Sequence, residues 1–346
     1  MPATLRDVAT HAQVSLRTVS NVIRGYTHVS DAMRKKVMDA ITELDYRPNL
    51  VARTLRTGRT GVLALVVPEI DLPYFSTLAR HVIDAAAELG YRVMIDQTGP
   101  DHDTERELFT STDRRMLFDG ILFAPLVTKT ELDAMTITSS IPFVLLGEYE
   151  FDGTFDHVAI DNFQAAYDAT SHLIGLGRTR IAAIGSQPDQ AYATPQLRTA
   201  GYQQALLDAG ITPDPALIRP AGHYRRSDGY EAARALLEAP EHPDAVFCYS
   251  DLLAIGALRG LDDAGLSVPD DIAVIGIDDI DEGVYSRPSL STVSLDIPFI
   301  AHQAVAHLVR RIDDPDTPAE EVVAPHRLMP RESTLGATAD QKTEAA

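Results

Sequence analysis

The chain has 346 residues, 45% of them hydrophobic and 23% charged, with a formal net charge of −20. This composition is ordinary for a water-soluble protein, and no run approaches the roughly 18 apolar residues that a membrane span needs. The length favours a small domain joined to one or two larger ones. The single cysteine, Cys248, excludes an internal disulfide and is interpreted as a buried strand residue.

The charge is divided unevenly along the chain. Residues 1–60 carry ten Lys and Arg against five Asp and Glu, a net +5, whereas residues 61–346 carry 20 against 45, a net −25. This division predicts different partners for the two parts, with nucleic acid favoured for the basic one. No basic segment followed by an apolar one opens the chain, so we expect a cytoplasmic, nucleoid-associated protein.

Three short helices are predicted in the basic part. Thr4 and Asp7 form a capping pattern before the first, and Ser15 and Ser30 are expected to cap the second and third. The apolar residues expected in their shared core recur at helical spacing: Leu5, Val8, Ala9 and Ala12; Val19, Val22 and Ile23; Met33, Val37, Ala40, Ile41 and Leu44.

The second of these helices has the features of the reading helix of a helix-turn-helix, which lies in the major groove of DNA. Leu16, Arg17 and Asn21 are the candidate base readers, because Arg can grip guanine, Asn adenine, and Leu a thymine methyl. Ser15 and Thr18 suit phosphates. On residue types alone, a plain pair of helices with a solvated Arg17 stays open.

The segment from Tyr46 to Gly58 predicts a short hinge helix, with a proline, a capping Asn49 and a glycine stop. A helix this short is marginal in water, so we expect it to fold only on DNA. Leu55 would then be an apolar wedge in the minor groove. The residues predicted to lie there are Ala52, Arg53, Leu55 and Arg56.

From Gly61 onward, short apolar runs alternate with amphipathic stretches. The predicted strands are 62–67, 92–95, 121–124, 158–160, 181–184, 217–221, 245–248 and 272–275. The predicted helices are 78–89, 105–117, 130–137, 162–174, 197–209, 229–237 and 252–264. This alternation predicts parallel sheets covered by helices, arranged as two similar α/β lobes with a cleft between them.

Polar and aromatic residues near the strand exits are candidates for binding a small effector, because ligands of such sheets gather there. The candidates are Asp71, Tyr74, Phe75, Pro125, Glu148, Asp161, Gln187, Arg198, Asp251 and Asp278. Carboxylates, an arginine and aromatic faces can together bind a sugar. An Asp after a strand more often caps a helix, and that alternative stays open for each one.

The sequence predicts no catalytic residue, metal site or cofactor. Asp278 and Asp279 are adjacent and rarely converge on one atom in such a position, while Gly175-Leu176-Gly177 lacks the rest of a phosphate loop and is interpreted as a helix stop. Neither a His-Glu-x-x-His pair nor a Gly-x-Ser-x-Gly elbow is present.

Several runs of the basic part resemble the LacI/GalR family of bacterial transcription regulators. They are Asp7-Val8-Ala9, Val14-Ser15, Thr18-Val19-Ser20, Tyr46-Arg47-Pro48-Asn49 and Ala52-Arg53-Thr54-Leu55. The resemblance extends over nearly the whole chain and implies a core of two Rossmann-like lobes, similar to a periplasmic sugar-binding protein, behind a small all-α head. One departure is Gln13, where the family usually has glycine in the turn.

The resemblance also implies roles for individual residues. Leu16, Arg17 and Asn21 match the base-contacting positions, and Leu55 matches the intercalating leucine of the hinge. Arg198 matches the sugar-contacting arginine. The residues that fall at cleft positions in similar proteins are Asp161, Asp251 and Asp278. Ser250 departs from the asparagine common before Asp251.

We therefore expect five segments. They are a helix-turn-helix domain at 1–47, a hinge helix and linker at 48–60, lobe one at about 61–161 and 297–324, lobe two at about 162–292 and 325–335, and a polar tail at 336–346. The core at 61–335 carries effector binding and dimerisation. The tail has no leucine heptads, so a homodimer is favoured over a coiled-coil tetramer.

The predicted function is a repressor of carbohydrate-utilisation genes that binds a palindromic double-stranded operator as a dimer. Its effector is expected to be a small sugar, with a purine as second choice, and to release the operator rather than act as a corepressor. The alternative is a cytoplasmic solute-binding protein or sugar enzyme without DNA function.

Overall fold

The computed structural model describes residues 3–23, 26, 28–46, 58–99, 107, 117–125, 132, 141–147, 153–187 and 193–336. The chain divides into two units, a head of residues 1–60 and a core of residues 61–346. In the described ranges, no helix is both long enough and apolar enough to cross a membrane. Several predictions lie outside these ranges: the hinge residues Ala52, Arg53, Leu55 and Arg56, the effector contact Glu148, and the tail beyond Gly336. The predicted helices 105–117 and 130–137 also lie outside them, apart from residues 107, 117 and 132.

The described residues of the head form three helices around one small core: α1 (Leu5–His11), α2 (Leu16–Ile23) and α3 (Asp31–Glu43). The predicted capping box is present at α1, where the Asp7 amide donates to Thr4 Oγ1 at 3.3 Å and the Thr4 amide to the Asp7 carboxylate at 2.8 Å. The buried residues come from all three helices: Val8, Ala9, Ala12, Val19, Val22, Val37 and Ala40. The predicted all-α head is confirmed.

Three details of the head differ from prediction. Ile23 and Met33, assigned to the apolar stripes, are 37% and 36% exposed. Each lies within one turn of a helix end, where the other helices no longer cover the stripe. Ser30 stands at the N-cap position of α3 with extended backbone, but its side chain accepts no hydrogen bond.

Gln13, in the turn between α1 and α2, has a positive φ of 50°. A residue with a Cβ is strained there by roughly 1–2 kcal/mol. Glycine removes the strain, but it also raises the conformational entropy of the unfolded chain, which offsets part of the stabilisation. We expect Gln13→Gly to stabilise the head by about 0.5–1 kcal/mol. Amide hydrogen exchange of Val8 and Val22 in the whole protein should then slow, with Gln13→Ala as the control that keeps the Cβ. Unchanged exchange in Gln13→Gly contradicts the prediction.

The core contains two six-stranded sheets and the helices that cover them. The strands are β1 (Val62–Val67), β2 (Arg92–Gln97), β3 (Gly120–Phe123), β4 (Phe143–Leu146), β5 (Asp156–Ile160), β6 (Ile181–Ser186), β7 (Ile218–Pro220), β8 (Ala245–Cys248), β9 (Ala273–Ile277), β10 (Ser291–Leu295), β11 (Glu321–Ala324) and β12 (His326–Met329). The described helices are α4 (Pro73–Glu88), α5 (Asn162–Gly175), α6 (Ala193–Asp208), α7 (Arg226–Leu236), α8 (Asp251–Asp263), α9 (Asp281–Tyr285), α10 (Ile297–Asp313) and α11 (Glu332–Leu335).

Lobe one is built on a sheet with the strand order β11, β5, β4, β3, β1, β2, in which every pairing is parallel. Helices α4 and α10 pack on each other, and both contact this sheet. All of β3, β4 and β5 is buried, as expected for a parallel sheet covered on both faces.

Lobe two is built on a sheet with the order β12, β10, β9, β8, β6, β7, in which only the pairing of β10 with β12 is antiparallel. It is covered by two helix pairs, α5 with α6 and α7 with α8. Helices α7 and α8 approach closely at glycines. A Cβ on Gly229 would lie 2.0 Å from the Leu253 carbonyl oxygen, and one on Gly256 would lie 1.9 Å from that of Arg226.

The chain passes between the two sheets three times, each time through one residue. Asp161 joins β5 to α5, Asp296 joins β10 to α10, and Pro325 joins β11 to β12. The two aspartates have nearly the same backbone angles, and each caps the helix that follows, Asp161 through the Gln164 amide and Asp296 through the Phe299 amide. Two of the crossings lie side by side, since the Asp296 amide donates to the Pro325 carbonyl at 3.2 Å.

The two-lobed α/β core is thus confirmed, with one local correction. The strand predicted at 217–221 is observed at Ile218–Pro220 as β7, because a short 3-10 turn, Pro215–Leu217, precedes it. The Asp214 carboxylate caps that turn through the Ala216 amide, which delays the start of the strand. In lobe two, β10 continues to Leu295, beyond the segment end expected at about residue 292.

Candidate functional site: a reading helix and an effector cleft

The first candidate site is the outer face of α2. Val19 and Val22 point into the head core, while Leu16 and Arg17 are exposed and Asn21 is half-buried. The exposed fraction of Leu16 is 42%, which is unusual for a large apolar side chain at a helix start and leaves it free to contact another molecule. The structure therefore brings the three predicted base readers onto one open surface.

The start of α2 is ordered by the predicted cap. Ser15 Oγ accepts a hydrogen bond from the Thr18 amide at 3.1 Å and lies 2.9 Å from Thr18 Oγ1. A helix N-terminus of this kind offers backbone N–H groups to an anion. The two residues predicted to bind phosphate thus stand together at the end of α2 that carries Leu16 and Arg17.

The second candidate site lies at the strand exits of the core, and Arg198 of α6 is its most constrained residue. Its side chain is 95% buried, since only 5% of its surface is exposed. Nε donates to Asn162 Oδ1 at 2.6 Å, and Nη1 donates to the Tyr249 carbonyl at the end of β8. These bonds fix a guanidinium charge at the edge of the lobe-two sheet.

Asp278 follows β9, the strand next to β8, so the two strand ends meet at this edge. Burial raises the pKa of the Asp278 carboxyl to about 7, and the positive charge of Arg198 opposes the rise. The structure therefore brings Arg198 and Asp278 together, as predicted. A half-buried carboxyl beside a fixed guanidinium can accept and donate hydrogen bonds to a hydroxylated ligand.

Asp251 and Asp161, also predicted as effector contacts, have other roles in the structure. Asp251 has no exposed surface, and its carboxylate accepts hydrogen bonds from Thr292 Oγ1 at 2.7 Å and from the Ile280 amide at 3.0 Å. Burial raises its pKa well above the usual range, and Asp278 adds to the shift. Asp251 presents nothing to a ligand, so the predicted contact is corrected to a role inside lobe two. Asp161 is exposed but caps α5, the alternative left open from the sequence.

Gln187, after β6, uses its side-chain amide to hold the chain beyond β7. Nε2 donates to the carbonyl oxygens of Ala221 and Gly222, both at 2.9 Å. Tyr224 lies two residues further on with a φ of 52°, and its hydroxyl donates to the Gly185 carbonyl at 2.8 Å. Tyr224 was missed, because nothing in the sequence distinguishes an aromatic residue in this loop from a surface one.

Lobe one contributes the residues after β1. The rings of Tyr74 and Phe75, in the first turn of α4, are half-buried and meet edge to face with centroids 5.1 Å apart. Pro125 is half-buried after β3. Asp71 is largely exposed, and its carboxylate accepts a hydrogen bond at 3.3 Å from Nη1 of Arg225 in lobe two.

Arg225, just before α7, forms ion pairs with carboxylates of lobe one. Besides Asp71, its guanidinium donates through Nη2 to the carboxylate of Glu69, which is mostly buried. Arg225 and Glu69 were not predicted as site residues, since a surface arginine gives no sequence signal for a partner 156 residues away. Of the predicted contacts, Arg198 and Asp278 lie at the edge of the lobe-two sheet, and Asp71 of lobe one is linked to lobe two through Arg225.

Comparison with known proteins decides the family. A profile described as "Bacterial regulatory proteins, lacI family" matches residues 4–49, and one described as "Periplasmic binding protein-like domain" matches residues 170–334. Catabolite control protein A of Priestia megaterium is 32% identical over 335 residues, which cover 96% of this chain and 100% of the relative. The chain belongs to the lacI family of bacterial regulatory proteins.

Other members of the lacI family agree over the same length. The ribose operon repressor of Escherichia coli K12 is 34% identical over 336 residues, covering 96% of this chain and 99% of that protein. A solved structure, the transcriptional regulator CelR–cellobiose complex, superposes with a TM-score of 0.72 at 33% identity, covering 96% and 99% of the two chains. These relatives are transcriptional regulators, which favours the DNA-binding interpretation over a protein without DNA function.

Proposed function

We propose that this lacI-family chain is a dimeric repressor of carbohydrate-utilisation genes, released from a palindromic operator by a sugar bound in the cleft. The observation that carries the DNA-binding part is the open face of α2, where Leu16, Arg17 and Asn21 stand within the segment matched by the lacI-family profile. Operator DNA would place the protein in the cytoplasm with the nucleoid. As a regulator, it would carry no catalytic activity.

The cleft supports a sugar as effector. A ribose operon repressor and a cellobiose-bound regulator are among the relatives, and Arg198 and Asp278 offer polar groups suited to hydroxyls. A purine is the second choice. A mobility-shift titration of operator with ribose, cellobiose and guanine tests this proposal; a complex that responds to none of them, or strengthens with one, contradicts sugar-driven release.

Dimerisation is supported by the need to read two half-sites and by exposed apolar residues on lobe two. Val284 and Tyr285 of α9 are 45% and 78% exposed. Sedimentation of the whole protein tests the proposal directly.

The hinge residues Ala52, Arg53, Leu55 and Arg56 stay assigned to the minor groove. DNA bending that is unchanged in Leu55→Ala would dismiss the wedge.

Arg17→Ala is expected to relax sequence specificity at one base pair of each half-site, by about 1–3 kcal/mol. The reason is that an exposed arginine at the start of α2 can make two hydrogen bonds to guanine, which alanine cannot replace. Operators selected from genomic fragments and then varied base by base would show this in a binding assay. Arg6→Ala, on α1, is the control, and equal losses at every base pair would assign Arg17 to phosphate.

A further inference from the structure

The turn that carries Asp278 has a backbone conformation that ordinary residues avoid. It consists of Asp278, Asp279 and Ile280, named here the 278–280 turn, and it joins β9 to α9. Asp278 has a φ of 120° and Asp279 a φ of 55°. Two successive residues with left-handed φ are strained and persist only where their surroundings hold them. The contacts that hold this turn therefore decide where the Asp278 carboxyl lies.

The first set of contacts comes from the side chains of Asp251 and Thr292. The Asp251 carboxylate accepts the Ile280 amide on one oxygen and the Thr292 hydroxyl on the other, and Thr292 Oγ1 in turn accepts the Asp279 amide at 3.3 Å. The carboxylate fits only because residue 276 is glycine, since a Cβ there would lie 2.1 Å from Asp251 Oδ1. Asp251 thus holds two of the three turn residues through their amides.

A second contact comes from the C-terminal part of lobe two, in addition to the hydrogen bond from the Asp278 amide to the Val293 carbonyl at 3.0 Å. Arg331, just after β12, donates through Nη2 to Asp279 Oδ1 at 2.6 Å and through Nη1 to the Leu290 carbonyl at 2.9 Å. Its own amide donates to Ser291 Oγ at 2.7 Å. Only 15% of the Arg331 side chain is exposed, so this ion pair is shielded from competing water.

We propose that Asp251 and Arg331 are positioning residues for effector recognition, which hold the 278–280 turn so that Asp278 stays beside Arg198. The inference rests on the proposed function, in which Asp278 and Arg198 contact the effector. It makes the segment after β12 part of the construction of the cleft, although that segment presents no group to the ligand. Without Arg331, the Asp279 carboxylate loses its partner and the strained turn can relax.

The test is amide hydrogen exchange in the whole, ligand-free protein, read in peptides that cover 277–282. In Arg331→Met the exchange of this peptide should speed up by about ten-fold or more, because a charged hydrogen bond is lost. Asp279→Asn removes the same ion pair by changing its more exposed partner, and it should also speed up exchange of the 277–282 peptide. Arg331→Lys keeps one donor for Asp279 and should recover part of the protection.

The matched control is Arg259→Met, which removes an arginine–carboxylate pair of 2.7 Å with Asp263 elsewhere on lobe two. This variant should leave the amide exchange rate of the 277–282 peptide unchanged. The inference is overturned if Arg331→Met speeds exchange only in β12 and α11, since Arg331 would then merely fasten the C-terminal segment. It is also overturned if Arg331→Lys and Arg331→Met are equally fast in the turn.

Calorimetric titration with ribose and cellobiose separates this inference from the proposed function. If Asp278→Asn weakens sugar binding, Arg331→Met should weaken it as well, and a normal affinity in Arg331→Met overturns the inference. If Asp278→Asn binds normally, or the unaltered protein binds neither sugar, the proposed site is wrong. The exchange measurement then still decides whether Arg331 holds the turn.

Discussion

Asp156→Asn is expected to lower the free energy of unfolding of the core by about 3–5 kcal/mol, the usual cost of removing one partner from a buried ion pair. Asp156, the first residue of β5, has no exposed surface. Its carboxylate receives hydrogen bonds from Arg310 at 2.8 Å, from Arg311 at 2.8 and 2.9 Å, and from the Glu320 amide at 3.0 Å. The neutral amide would leave two arginines without their shared counter-charge.

The same site sets an acid limit to stability. Burial by itself raises the pKa of Asp156, but hydrogen bonds from His307, Arg311 and the Glu320 amide outweigh it and hold the pKa at about 2. Because the folded-state pKa is below the unfolded value of 3.8, this contribution is complete above pH 3.8. It is lost progressively as the pH falls from there through about 2.

Urea unfolding at neutral pH measures the effect of Asp156→Asn. Asp263→Asn is the control, since Asp263 pairs with Arg259 at the surface of α8, where solvent screens the interaction. Similar unfolding midpoints for the two variants would contradict the assignment of Asp156 as a buried anchor. At pH 2 the difference in the free energy of unfolding between Asp156→Asn and the unaltered protein should be smaller than at neutral pH.

Arg198→Met is expected to weaken sugar binding by about 10- to 150-fold, the equivalent of one lost charged hydrogen bond, while operator binding without sugar is kept. Methionine retains much of the buried stem but removes the charge that faces Asp278. The pKa of Asp278 should then rise further, because the positive charge of Arg198 acts to lower it. The Asp278 carboxyl would be protonated at neutral pH.

Calorimetry with ribose and cellobiose, alongside a mobility-shift assay, separates the two expected effects. Arg180→Met is the control, because Arg180 pairs with Asp214 across 3.8 Å outside the cleft. Loss of operator binding in Arg198→Met would show that Arg198 serves the fold rather than the ligand. An unchanged sugar affinity would remove Arg198 from the site.

Much of the fold follows from local patterns. The bounds of β1 and β8 agree with prediction residue for residue, because each is a short apolar run between turn residues. The chain crosses between the sheets through single residues, Asp161, Asp296 and Pro325, which no apolar periodicity marks. The helix stop at Gly175 is confirmed, with Gly177 at a φ of 85°.

The candidate site was predicted less completely than the fold. An aspartate after a strand has the same appearance whether it caps a helix, as Asp161 does, or lies buried, as Asp251 does. Arg225 and Arg331 act on carboxylates 154 and 52 residues away, and no local pattern reports a partner at that distance. Tertiary contacts, not periodicity, determine which polar residues face the cleft.

The three single-residue crossings have a consequence for synthesis of the protein. Lobe one receives α10 and its edge strand β11 only after the ribosome has made nearly all of lobe two. Until residue 324 emerges from the ribosome, β5 is an open sheet edge. The ion pairs of Asp156 with Arg310 and Arg311 likewise cannot form until α10 has been made. A nascent chain that stalls within lobe two therefore exposes an unfinished sheet, and unpaired strand edges of this kind promote aggregation.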